Sequence, residues 1–121
     1  MKTITTVGLI LAVLIMGTVK AGAHAFLERA DPRVGSTVRT SPSMVRLWFS
    51  EQLEPAFSSV RVVNDAGKQV DKGDGRVDPA TPVLLQVSVP ALQPGTYKVI
   101  WRVLSVDSHV TKGDFSFRVA P

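Results

Sequence analysis

Two patterns of apolar residues divide the chain. Residues 1–23 carry Lys2, then an apolar run from Val7 to Gly17, then Lys20 and the small residues Ala21-Gly22-Ala23. From residue 24 onward no long apolar run recurs, and the pattern changes to alternation. Over 44–50, Val45, Leu47 and Phe49 share one face against Arg46, Trp48 and Ser50. Over 83–89, Val83, Leu85, Val87 and Val89 oppose Gln86 and Ser88, and over 96–103, Tyr97, Val99, Trp101 and Val103 oppose Thr96, Lys98, Ile100 and Arg102. Phe115, Phe117 and Val119 continue it against Asp114, Ser116 and Arg118. Alternation with period two predicts strands with one face on a core and the other in water.

Turn chemistry separates these runs. Asn64-Asp65-Ala66-Gly67 predicts a turn between a strand at 58–63 and a short return through Lys68, Gln69 and Val70. Pro90 and Pro94-Gly95 bound another connection, and the Gly-, Asp- and Pro-rich stretch 71–82 reads as a long surface loop. About seven short strands separated in this way predict an all-β fold, an antiparallel Greek-key β-sandwich or barrel. Phe49, Tyr97, Trp101, Phe115 and Phe117 fall on the inward faces and are expected in the core.

The opening segment reads as a secretory signal peptide. A basic start, an apolar stretch and small residues before a cleavage point are its three parts. The apolar run is about half of the ~20 residues that span a bilayer, so an anchor is the poorer reading. Cleavage after Ala23 leaves a single domain at 24–121. Lys2 and Lys20 leave with the signal, so the net charge falls from +4 to +2, and the chain's pI near 9.9 overstates how basic the exported protein is. The remaining cations alternate with apolar residues, as on solvated strand faces, and no nucleic-acid stripe is expected.

Candidate chemistry is narrow. With no Cys, disulfides, thiolate metal sites and cysteine nucleophiles are excluded, and two His fall short of a three-His zinc centre. His24 stands first after the expected cleavage point, so its main-chain nitrogen becomes an amine beside its own imidazole. Together they form a chelate that suits Cu(II), which prefers tetragonal nitrogen and oxygen donors. The second histidine lies in Val106-Asp107-Ser108-His109, where a spacing of two on an extended segment would turn Asp107 and His109 to the same side. Asp107 and His109 would complete the plane if the start of the mature chain lies beside them. While residues 1–23 remain attached, His24 is internal and the copper site incomplete.

These residues resemble the CopC/PcoC family of periplasmic copper-binding proteins over the whole mature length. The resemblance is carried by His24-Ala25-Phe26-Leu27, Asp31-Pro32, Leu47-Trp48-Phe49-Ser50-Glu51, the run from Pro94 to Arg102, Ser105-Val106-Asp107-Ser108-His109, and Gly113 to Phe117. It implies a cupredoxin- or immunoglobulin-like domain in the periplasm that sequesters or delivers copper in resistance and homeostasis. One Cu(II) per chain would be held by the amine and imidazole of His24 with Asp107 and His109, and Glu51 would lie near the metal. The implied partner is an inner-membrane CopD-like copper transporter, with no small-molecule substrate and no catalysis. Some members carry a Met-rich Cu(I) loop; here Met44 alone remains after residue 23, which implies the Cu(II)-only type. Two other readings stand beside this one. A copper enzyme of the histidine-brace monooxygenase type would use the same amine-terminal His, and a metal-free exported interaction domain would use neither His.

Overall fold

The computed structural model describes residues 24–121. Eight strands form two four-stranded sheets: β1 (Leu27–Asp31), β2 (Thr37–Val38), β3 (Met44–Phe49), β4 (Ser59–Val63), β5 (Arg76–Asp78), β6 (Thr81–Ser88), β7 (Gly95–Leu104) and β8 (Val110–Val119). The first sheet has the order β1-β3-β6-β5 and the second β2-β8-β7-β4. The chain crosses between sheets after β1, β2, β3, β4 and β6, the long-range connectivity of a Greek-key sandwich. No helix among the described residues is long and apolar enough to cross a membrane. The signal expected at 1–23 lies outside the described residues.

The alternation in the sequence becomes the core. Val45, Leu47, Leu85, Val87, Val99 and Phe117 have no measurable exposure, and Phe49, Tyr97 and Phe115 are buried beside them. Each such side chain is worth roughly 1.5–3 kcal/mol relative to exposure, so these inward faces hold the two sheets together without a disulfide. Trp101 is half-buried, packing edge-on against Phe49 with ring centroids 5.0 Å apart. Its indole N–H is buried without a hydrogen-bond partner.

The turn at Asn64 forms as expected. Its side-chain oxygen accepts the backbone N–H groups of Ala66 and Lys68, both at 3.0 Å, and Gly67 takes the left-handed φ of 78° that this tight return requires. One expectation needs correction. The stretch 71–82 is not simply a surface loop: it contains β5 and the start of β6, with Val77 buried. Aspartates hold it in place, because Asp71 accepts the Val62 N–H and Asp74 the Ser88 N–H, each at 2.8 Å. The sheets are antiparallel as expected, apart from one short pair in which Thr37 and Val38 run parallel to Arg118 and Val119.

Candidate metal centre

The longest hairpin of the fold, β7 with β8, closes at one end of the sandwich through residues 105–109. Leu104 pairs with Val110, and the loop between them is drawn tight by Ser105. Ser105 is fully buried; its N–H donates to the His109 carbonyl at 3.0 Å, and its carbonyl accepts the Ser108 N–H at 2.9 Å. Its hydroxyl accepts the His109 N–H at 3.3 Å and donates to the Asp107 carboxylate. So tight a loop needs one residue in the left-handed region, and Ser108 occupies it with φ 72°.

This loop brings Asp107 and His109 together, with Oδ1 of one 3.4 Å from Nδ1 of the other. The expectation of a shared side is met through a turn and not through an extended segment. The Ser105 hydroxyl, helped by His109, holds the Asp107 carboxyl below its ordinary value against a desolvation that raises it. At neutral pH Asp107 is therefore an anionic oxygen donor at the protein surface.

His24 reaches the same place from the far end of the sequence. Ala25 is buried, which pins the first described residues to the body of the sandwich. The Ser50 hydroxyl, at the end of β3, accepts the Phe26 N–H at 2.8 Å and lies 3.3 Å from the His24 carbonyl, to which it donates. From the other sheet, the Thr111 hydroxyl donates to the Ala25 carbonyl at 2.9 Å. Held from both sheets, His24 sets its imidazole against that of His109, ring centroids 4.6 Å apart and planes at 66°. Glu51 is half-buried directly after Ser50, and among the described residues it makes no hydrogen bond or ion pair to this group.

The contacts are pairwise, His24 with His109 and His109 with Asp107. Among the described residues no three of His, Cys, Asp and Glu are drawn together as a metal-holding group of side chains. The donor set is nevertheless suited to Cu(II): two imidazoles and a carboxylate, all accessible. Ser50, Ser105 and Thr111 carry no metal-ligand chemistry, and their positioning roles have no local signal beyond the Ser105-x-Asp107-x-His109 spacing.

The CopC domain family matches residues 27–120. Copper resistance protein C of Pseudomonas syringae pv. tomato is 35% identical over 107 residues, covering 82% of each chain. Protein YobA of Escherichia coli (strain K12) is 34% identical over 98 residues, covering 80% of this chain and 79% of its own. Among solved structures, that of CopC from Methylosinus trichosporium OB3b superimposes with a TM-score of 0.72 at 38% identity, covering 81% of this chain and 95% of the other.

Proposed function

The chain belongs to the CopC family, whose relatives include copper resistance proteins, and on that premise we propose that it is an exported carrier that binds one Cu(II) ion at His24, Asp107 and His109. The observation that carries this reading is the meeting of the chain's only two histidines, at 4.6 Å, from positions 85 residues apart. A charge-bearing carboxylate at 3.4 Å from one of them supplies the oxygen donor.

Removal of residues 1–23 turns the His24 peptide nitrogen into an amine. That amine and Nδ1 of the same ring close a chelate without help from the fold, and the rest of the chain delivers the other two donors to it. Asp107 neutralises part of the cation's charge, and Ser105 keeps that carboxylate aimed. With a protein oxygen in the donor set and no thioether besides Met44, the site favours holding oxidised copper over turning it over. Family resemblance supports a periplasmic setting and release to a CopD-like transporter in the inner membrane.

The test is a Cu(II) titration of the chain beginning at His24, followed by electron paramagnetic resonance, beside the same chain carrying one extra residue before His24. One-to-one binding by the first and a loss of at least about 100-fold in the second is expected for removal of a chelating donor. Equal affinity in the two would take the amine out of the site, and intact mass of the exported protein checks that it begins at His24.

A further inference from the structure

Cations that lie far apart in the sequence gather on one face of the fold. In β7 the even-numbered residues point away from the core, and in β8 they do so as well, so Lys98, Arg102, Lys112 and Arg118 share the outer face of the second sheet. Arg61 joins them from β4, where it pairs with Ile100. All five are exposed, and among the described residues none is in an ion pair. On these three strands the face carries one acidic residue, Asp114, and the turn at the end away from His109 adds Asp65. Five of the exported domain's 12 cations thus stand on a face holding one of its 10 acids.

The arrangement works against stability. Arg102 is paired directly across from Lys112, and like charges directly opposite one another on a sheet repel. Apolar groups flank this cationic field at the His109 end. Val110 lies on the same outer face, 47% exposed, paired with Leu104. Phe57, 62% exposed, sits at that end too, because Leu104 exchanges hydrogen bonds with its neighbours: the Leu104 N–H donates to Ser58 Oγ at 3.2 Å and its carbonyl accepts the Glu54 N–H at 2.8 Å.

We propose that this face docks on an anionic phospholipid surface, Lys98, Arg102, Lys112, Arg118 and Arg61 meeting the headgroup phosphates while Phe57 and Val110 enter the interfacial layer. The field spans about 20 Å along the strands and about 10 Å across them, from the rise and spacing of sheets. An acidic helix or strand of a partner protein would cover one line of it, whereas a bilayer covers all five cations at once. Basic residues backed by exposed apolar ones are the composition of interfacial binding. Docked in this way, the His24–His109 end lies at the membrane plane. The inference goes beyond copper binding and stands apart from it, since none of the five cations is among the proposed ligands.

The experiment uses the copper-free chain beginning at His24, which contains every strand of both sheets. Co-sedimentation should show binding to phosphatidylglycerol-rich vesicles, little binding to pure phosphatidylcholine vesicles, and loss of binding as salt is raised. The triple variant Lys98→Gln/Arg102→Gln/Lys112→Gln should bind about 100-fold more weakly, at roughly a factor of five per cation. Its unfolding temperature should not fall, because the repulsion between positions 102 and 112 is relieved. Arg46→Gln/Arg76→Gln, on the opposite sheet, should bind as the parent does. Equal binding to neutral vesicles, parent-like binding by the triple variant, or displacement from vesicles by polyglutamate at low concentration would each overturn the proposal. The last result would point to an acidic protein instead. A Cu(II) titration of the same triple variant separates the two readings: intact copper binding with no vesicle binding by the parent sinks this one alone.

Discussion

The Thr111 hydroxyl donates to the Ala25 carbonyl at 2.9 Å, joining residues 86 apart in the sequence. This bond, with Ser50 on the other side, fixes where His24 lies relative to His109. Thr111→Val keeps the shape of the side chain and removes the donor, leaving a buried main-chain oxygen unpaired. A cost of about 1–3 kcal/mol is expected in urea denaturation. The same change should weaken Cu(II) binding by about tenfold, equivalent to about 1.4 kcal/mol, through loss of a pre-set His24. Unchanged copper affinity alongside lowered stability would mean that His24 finds its place without this tether.

Among the described residues Ser105 is the only fully buried polar side chain, and it ties together the loop that presents both Asp107 and His109. Ser105→Ala leaves the His109 N–H without its acceptor and frees the Asp107 carboxylate. The expected cost is about 1–3 kcal/mol, or a fall of roughly 4–20 °C in unfolding temperature for a domain of this size. Differential scanning calorimetry reads it directly. In the Ser105→Ala protein, the Asp107 carboxyl should also titrate at higher pH than in the parent, since its largest lowering influence is gone. Carbon-detected nuclear magnetic resonance of that carboxyl checks the direction.

How far the sequence reaches is clearest in these residues. β3, β7 and β8 are legible because one face of each is buried along most of its length, which forces period two. β5 is not, since three residues with a single buried Val77 leave no period to detect, and what holds it is a pair of aspartates bonded to distant backbone N–H groups. His24, Asp107 and His109 stand out because a chain with two histidines and no cysteine has few metal donors to choose from. Their meeting depends on Ser50 and Thr111, two hydroxyls with no feature of their own. The cationic face is invisible for a related reason: each strand shows its outward cations, but only the pairing register places Arg102 opposite Lys112.

Gly113 is required by packing and not by its backbone angles. A methyl group there would stand 2.6 Å from a ring carbon of Trp101, which is itself seated on Phe49. Gly113→Ala must therefore push the indole out of its place, at the 1–3 kcal/mol typical of overfilled cores. Trp101 emission should change with it, because the buried indole N–H would be moved toward water. A variant with parent stability and an unchanged spectrum would show that β8 can shift away from β7 at this pair.

Acid should loosen the β5 region through Asp74. Its carboxyl is held below the ordinary value of 3.8 by hydrogen bonds from Ser88, with Arg76 adding attraction at 3.4 Å. A carboxyl whose folded pKa is depressed releases protons more readily in the folded state. It therefore stabilises the fold fully at pH well above 3.8, and that contribution is lost as pH falls through 3.8 and below the folded value. Asp74→Asn has no such proton to take up. Its stability should fall less steeply than the parent's between neutral pH and the acid limb, and the two curves should approach each other where the parent's Asp74 is protonated. Urea denaturation across pH measures both slopes, and parallel curves would show that Asp74 bonds Ser88 equally well with its proton on.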